Sequence, residues 1–311
     1  MRKRTTLLAA LLALALLPAC GQGSGPEPSV QEPSVQEPPA QEEMQRETLR
    51  LELTRSAADE DTLMQALRML PELLPAALAE QGVAVGRVET TVGASPAASA
   101  QALNDGSVDL AVLPGTVFAE LGGEAVPLLT AAETAGAEAG GRRMLLLAGP
   151  TEYGCQLSAR AASDTPLTWD ELNRAAWSVT GGEERGMVSV WLADRYDGNT
   201  LSDLSRVTYA ETDGDGDGES PADVLAVPAD TREGTNGAIG ETEPYYSVIL
   251  AARPDDSGLV TERFRDALAA ALAQVCGQDA SVRDALGGGA LTALVEDDAL
   301  NAMRRLATLG G

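Results

Sequence analysis

Histidine is missing from this chain of 311 residues, and lysine occurs once, at Lys3. Without an imidazole there is no Ser-His-Asp or Cys-His catalysis, no histidine-bearing zinc deaminase centre and no His-Glu-x-x-His protease helix. Beyond position 3 the basic residues are scattered arginines, so no basic face exists to release counterions from a polyanion, and nucleic acid is not an expected partner. Aromatic residues make up 3% of the chain, so a core must be built from aliphatic side chains. Cysteine occurs three times, at Cys20, Cys155 and Cys276. The apolar run Leu7–Leu17, about eleven residues, falls short of the roughly twenty needed to span a bilayer.

That short run has a different use. Arg2, Lys3 and Arg4 precede it and Leu17-Pro18-Ala19-Cys20 closes it, the three parts of a cleaved export signal. The closing tetrapeptide resembles the bacterial lipobox, in which the cysteine sulfur takes up a diacylglycerol and Cys20 becomes the first residue after cleavage. The alternative is an ordinary signal with a chance cysteine. Residues 1–19 are thus expected to be a lipoprotein signal peptide, and acyl chains on Cys20 to hold the chain on the extracytoplasmic face of the cell membrane. Removing residues 1–19 takes away three positive charges and no acidic ones, which moves the formal net charge from −25 to −28. Such acidity favours solubility and mutual repulsion at a surface.

Residues 20–47 read as the lipidated cysteine and a tether. Glu27-Pro28-Ser29-Val30-Gln31 recurs as Glu32-Pro33-Ser34-Val35-Gln36, and imperfectly as Glu37-Pro38-Pro39-Ala40-Gln41. Proline blocks helix and glutamate keeps the segment solvated, which gives a semi-extended spacer of about 3 Å per residue. A binding role for the repeat is the alternative. Cys155 and Cys276 form an even pair in an exported compartment, where a disulfide is possible and two free thiols equally so.

From about Thr48 the pattern becomes that of a folded α/β protein. Thr48–Arg55 alternates as a strand, and a helix follows, capped by Asp59 or Asp61 and interrupted at Pro71 and Pro75. Val83–Val92 reads as a strand, Ser95–Leu103 as a helix and Val108–Leu113 as a buried strand. This β-α-β-α-β order implies a parallel sheet with its ligand site beyond the carboxyl ends of the strands. Further strands are expected at Met144–Ala148, Trp177–Thr180, Val207–Glu211, Val224–Val227 and Tyr245–Ala252. Helices are expected at Gly186–Tyr196, Val260–Val275 and Asp298–Leu309, with a capping box of Thr168 and Glu171 opening another.

The run Ala102-Leu103-Asn104-Asp105-Gly106-Ser107-Val108-Asp109-Leu110-Ala111-Val112-Leu113-Pro114-Gly115-Thr116 resembles a segment of type 2 periplasmic solute-binding proteins, above all the phosphonate, phosphite and phosphate group. The resemblance covers residues 48–120 best and 48–311 loosely. It implies a two-lobed α/β fold, each lobe a mostly parallel sheet flanked by helices. Residues 48–148 and 243–311 would form lobe 1 and residues 149–242 lobe 2, with hinges near Gly149–Tyr153 and Glu243–Tyr246. The second lobe looks trimmed, without the usual long helix before the strand at Asp223–Val227. The implied activity is capture of a small solute, such as a small oxyanion, for the permease of an ABC importer. The protein is expected to be a monomer, not an enzyme, with no cofactor and no catalytic residues.

Candidate ligand contacts follow from the same resemblance. In these relatives a hydroxyl-rich turn at a helix start holds the anion. The corresponding turn here is Thr180-Gly181-Gly182-Glu183-Glu184-Arg185-Gly186, whose glycines allow close approach while Glu183 and Glu184 oppose a phosphoryl group. Arg185 compensates that charge or simply starts a solvated helix. A neutral or cationic solute therefore stands beside the oxyanion, as does a lipoprotein of the same fold acting as a sensor or interaction module. Ser56 and Thr116 would contact ligand or cap their own helices, and Tyr245 and Tyr246 would line the pocket or the core. Asp213-Gly214-Asp215-Gly216-Asp217-Gly218 starts like a calcium loop, but Val224 stands where the twelfth-position glutamate is needed, so an acidic turn and no metal is expected.

Overall fold

The computed structural model describes residues 44–54, 58–132, 141–163, 165–210, 222–229, 237–254, 258–294 and 297–309. The first stretch runs β1 (Met44–Thr54), α1 (Glu60–Glu80), β2 (Val83–Gly93), α2 (Pro96–Asn104), β3 (Leu110–Pro114), α3 (Gly115–Leu121) and β4 (Val126–Ala132). The second comprises β5 (Met144–Ala148), α4 (Glu152–Ala162), α5 (Trp169–Arg174), β6 (Trp177–Thr180), α6 (Gly186–Arg195), β7 (Val207–Ala210), β8 (Val224–Pro228) and β9 (Ala238–Glu241). Then come β10 (Val248–Ala252), α7 (Glu262–Gln278), α8 (Ala280–Ala285), β11 (Ala290–Ala293) and α9 (Asp297–Leu309).

Two local differences from the sequence reading have clear causes. β1 begins at Met44, inside the expected tether, because Met44–Arg46 pair in parallel with Val83–Val85. Gly86 permits this register: a Cβ there would lie 2.7 Å from the Glu47 carbonyl oxygen. Likewise α1 is one continuous helix through Pro71 and Pro75 rather than an interrupted one. A proline at position 71 leaves the carbonyl of Leu67 without its helical donor, and the Thr90 hydroxyl of β2 donates to that oxygen at 2.9 Å. The helix start is capped by Asp59, which accepts from the Thr62 amide at 3.1 Å.

The strands form two sheets, of order β11-β4-β10-β3-β1-β2 and β7-β6-β8-β5-β9. Both follow one plan. In each, the first strand (β1, β6) lies between the second (β2, β7) and third (β3, β8) in parallel. An antiparallel strand (β10, β5) follows the third, and the fourth (β4, β9) pairs with it. The antiparallel strand of each sheet follows directly on the chain's passage from the other. This is the two-lobed α/β arrangement that the resemblance implies, but each sheet is mixed rather than mostly parallel, because β10 and β5 enter antiparallel and β4, β11 and β9 pair antiparallel beyond them.

The expected lobe boundary at residue 148 moves accordingly. β5 pairs with β8 and β9 in the second sheet along its whole length, so the outbound passage precedes Met144 and the hinge expected at Gly149–Tyr153 lies inside the second lobe. The passages instead run side by side at Arg142 and Tyr245, whose backbones exchange hydrogen bonds of 2.9 and 2.8 Å. The strand expected from Tyr245 begins at Val248.

Each lobe secures its first and third strands with an aspartate. Asp109, immediately before β3, accepts from the Arg50 amide at 2.8 Å and binds the guanidinium groups of Arg46 and Arg50 at 2.7 and 2.9 Å. Asp223, immediately before β8, accepts from the Ala176 amide at 2.8 Å and from the Thr151 hydroxyl. The segments themselves repeat: Val108-Asp109-Leu110-Ala111-Val112-Leu113-Pro114 against Ala222-Asp223-Val224-Leu225-Ala226-Val227-Pro228.

Packing differs between the lobes. The first sheet is covered on one face by α1, α7 and α8 through Leu70, Leu74, Leu268 and Leu272, and on the other by α2, α3 and α9. The second cluster gathers Trp177, Trp191, Leu172 and Val188 over Met144 and Leu146. Burial of such side chains contributes about 1.5–3 kcal/mol each. Among the described residues no helix is long and apolar enough to cross a membrane.

Candidate functional site

The carboxyl ends of β3 and β6 lead into the helices that approach the crossing. After β3, Pro114 turns the chain straight into α3, where a Cβ at Gly115 would lie 1.8 Å from the Tyr246 carbonyl oxygen and 2.4 Å from Met303 Cε. Only glycine fits there. After β6 the chain makes the Gly181-Gly182 turn, with Gly181 at φ 122°, and a short 3-10 turn over Glu183–Arg185 before α6. Gly186, the first residue of α6, meets α9 as closely: a Cβ there would lie 2.7 Å from Leu306 Cδ1.

Met303 and Leu306 are one turn apart on α9, so a single apolar stripe touches the starts of both α3 and α6. The Tyr246 amide donates to Met303 Sδ at 3.4 Å, and Arg305 pairs with Asp194 on α6. Met187 and Val190 of α6 join Leu113, Phe118 and Met303 in one buried cluster, which ties the two lobes together.

Glu184 sits at the heart of the turn. It is 3% exposed, not solvated as a helix start would be, and Arg142 of the outbound passage approaches it at 3.8 Å. Its carboxylate lies against the space left by the two glycines, with Oε1 3.4 Å from a Cβ built at Gly181 and Oε2 3.3 Å from one at Gly182. Arg185 is exposed and its guanidinium stacks 5.3 Å over the Tyr209 ring, so it turns away from the carboxylate it was expected to offset. A buried carboxylate keeps its charge only beside a cation or enough donors.

The other expected contacts are distributed unevenly. Thr180 is the half-buried last residue of β6, adjoining Gly181. Thr116 is the half-buried second residue of α3, and Pro114 at the cap position gives that helix no side-chain cap. Tyr245 and Tyr246 are each 1% exposed and belong to the core cluster beneath α9. Ser56, Cys20 and the Asp213–Gly218 run lie outside the described residues, as does the segment where the second lobe was expected to be trimmed. Both remaining cysteines are free: Cys155 is exposed on α4, and Cys276 is buried in α7, where burial pushes its thiol up to about 11. Among the described residues no cluster of His, Cys, Asp or Glu could hold a metal ion.

Two hollows flank α6, and neither is lined by Thr116, Gly181, Gly182, Tyr245 or Tyr246. One, of about 370 Å³, lies where Met187, Val190, Trp191, Asp194 and Arg195 face Glu243 of the returning passage. The other, of about 490 Å³, includes Pro166, Leu167, Trp191, Arg195, Tyr196 and Ile239 in its walls. Sequence reasoning missed the α9 stripe, although Leu300, Met303 and Leu306 recur at helical spacing. It also missed Arg142, which nothing in sequence links to Glu184.

No family model and no curated protein matches the chain. Among solved structures it is similar to transferrin 1 from Manduca sexta, at 11% identity and a TM-score of 0.54, over 85% of this chain and 46% of that one. It thus spans about half the length of that transferrin. Two further likenesses are lower: the phosphonate-transporter binding protein of Pseudomonas aeruginosa (12% identity, TM-score 0.39, 84% and 85% of the two chains) and PhnD1 from Prochlorococcus marinus in complex with methylphosphonate (10%, 0.40, 84% and 97%). At these identities the likeness to the transferrin is one of fold.

Proposed function

We propose that this chain is an exported solute-binding lipoprotein of an ABC importer, anchored through Cys20 and carrying its solute between two lobes. Its lobe 1 comprises residues 44–132 and 245–309, its lobe 2 residues 143–242, and residues 20–43 are the tether. The observation that supports this reading best is the pair of like-ordered sheets joined by two adjacent passages, with the glycine-started helices α3 and α6 approaching one another beside that crossing. Lobes so joined can close by a change confined to a few backbone dihedrals, and contacts made only in the closed state drive that closure. Binding rather than catalysis is the role, and the permease is the partner.

Thr116, Thr180, Gly181 and Gly182 are the contacts we propose from the described residues, and Ser56 from outside them. The solute we propose is neutral or cationic. A phosphoryl group at the β6 turn would have to share its space with the buried Glu184 carboxylate, at a cost in like-charge repulsion; an ammonium would find a counter-charge there. The test is a thermal-shift screen of the full chain in detergent against methylphosphonate, phosphate, alkylamines and amino acids. A ligand at about 100 times its dissociation constant adds about 2.7 kcal/mol of stability. Stabilisation by amines or amino acids, lost in Glu184→Gln, supports the reading. Stabilisation by phosphate or methylphosphonate alone reverses the charge assignment, and no shift with any solute favours the sensor or interaction role.

A further inference from the structure

We propose that the hollow of about 490 Å³ between α6 and the Pro166-Leu167 segment is a second binding site, for a small aromatic molecule bearing one carboxylate. Its volume is that of a small-molecule pocket, and Trp191 and Tyr196 line it in a chain that has few aromatic residues. Trp191 forms one wall and is fixed from behind: a Cβ at Gly240 would lie 2.5 Å from the indole. Tyr196 forms another, its ring 6.0 Å from Trp191 at 59° and 6.1 Å from Trp169. Pro166, Leu167 and Ile239 supply the apolar part of a mixed lining, to which Thr165 and Arg195 add polar groups.

The polar anchor is Arg195. Its guanidinium lies 4.7 Å over the Trp191 ring and donates to the Trp191 carbonyl oxygen at 3.3 Å. Among the described residues no carboxylate pairs with it, although the chain has a net charge of −25. The adjacent carboxylate, Asp194, is taken by Arg305. No aspartate or glutamate lines this hollow. One of five guanidinium donors is thus spent within the helix, and stacking holds the plane in place for a bidentate carboxylate. The Tyr196 hydroxyl has no hydrogen-bond partner among the described residues and offers a further donor. The two lobes need not close for this site to form, so it stands independently of the solute carried between them.

The full chain in detergent would be titrated calorimetrically with 2-naphthylacetate and with the uncharged 2-naphthylacetamide. Each ligand is also titrated into detergent alone, and that background is subtracted for acid and amide separately. The acid is expected to bind at least about tenfold more tightly than the amide. Arg195→Gln should reduce acid binding to the level of the amide, Arg195→Lys should recover part of it, and Tyr196→Phe should weaken it by a smaller factor. Equal affinity for acid and amide, equal affinity in wild type and R195Q, or no saturable binding up to about 10 mM would each overturn the assignment. If R195Q lowers the melting temperature, the acid-to-amide ratio in wild type and in R195K still decides the question.

Discussion

Asp109 and Asp223 occupy the same place in two sheets of the same order, and their surroundings differ. Each precedes the third strand and accepts a backbone amide, Asp109 from Arg50 within the first strand and Asp223 from Ala176 just before it. Asp109 is fully buried and faces two guanidinium groups at 2.9 Å or less, whereas Asp223 retains 8% exposure and has Arg206 at 3.6 Å. A carboxylate can therefore clasp two parallel strands in either setting, while the counter-charge it needs follows its burial. The lobe closed on both faces employs a double ion pair. The lobe with a single core cluster manages with a hydroxyl and a longer contact.

Replacement of these two residues gives the sharpest test of that difference. Asp109→Ala leaves two guanidinium groups and the Arg50 amide without their acceptor and is expected to cost about 4 kcal/mol. Asp223→Ala should cost about 2 kcal/mol, close to the loss of hydrogen bonds at a partly solvated site. Denaturant unfolding of both variants checks the order, and an equal or reversed pair of values would abolish the distinction. The thiols contrast the lobes by reactivity. With Cys20→Ser in the background, Cys155 should react with a thiol reagent in the native protein. Cys276, its pKa raised to about 11 by burial, should be slower by at least about 100-fold until the first lobe unfolds. Comparable rates would mean that the α7 core opens readily.

Smaller effects are expected where single hydrogen bonds join elements. Thr90→Val removes the donor to the Leu67 carbonyl beneath Pro71 and should cost about 1 kcal/mol, with the loss of amide protection confined to α1. Thr168→Ala should cost about 1 kcal/mol in the second lobe, and it should also change the acid limb of stability. The amide and hydroxyl of Thr168, together with Arg160, hold the Glu171 carboxyl below its usual value. That contribution is present above the ordinary glutamate pKa and is lost as pH falls through the depressed one. Stability measured from neutral to acid pH should therefore fall less steeply in T168A. An unchanged slope would remove Glu171 from the account.

Strongly patterned elements were legible in the sequence. Alternation located β1, the apolar runs located β3 and β5, and cap chemistry located the start of α5 at Thr168 and that of α1 to Asp59 or Asp61, of which Asp59 is the cap. What escaped was set by partners remote in sequence. Pro71 reads as a helix breaker until Thr90 of the neighbouring strand is seen to satisfy Leu67. Met44–Glu47 read as tether because their strand character comes from pairing with β2 across Gly86. β4, β9 and β11 carry short, weak patterns and exist through the antiparallel neighbours they border.

The site was less legible than the fold. The glycine turn after β6 was evident, yet which of Glu184 and Arg185 points inward depends on Arg142, 42 positions away along the chain from Glu184. Two adjacent tyrosines suit a pocket or a core equally by composition; Met303 and Gly115, packed around Tyr246, decide for the core.

The hydrogen-bonded contact between Arg142 and Tyr245 also makes the architecture nested. One half of the molecule begins and ends at nearly the same point of the other, as a parenthesis does within a sentence. The outer half can be read straight across it, from β4 directly to the strand β10 that pairs with it. The inner half is in this sense a detachable clause, whose length and content can change without rewriting the text around it.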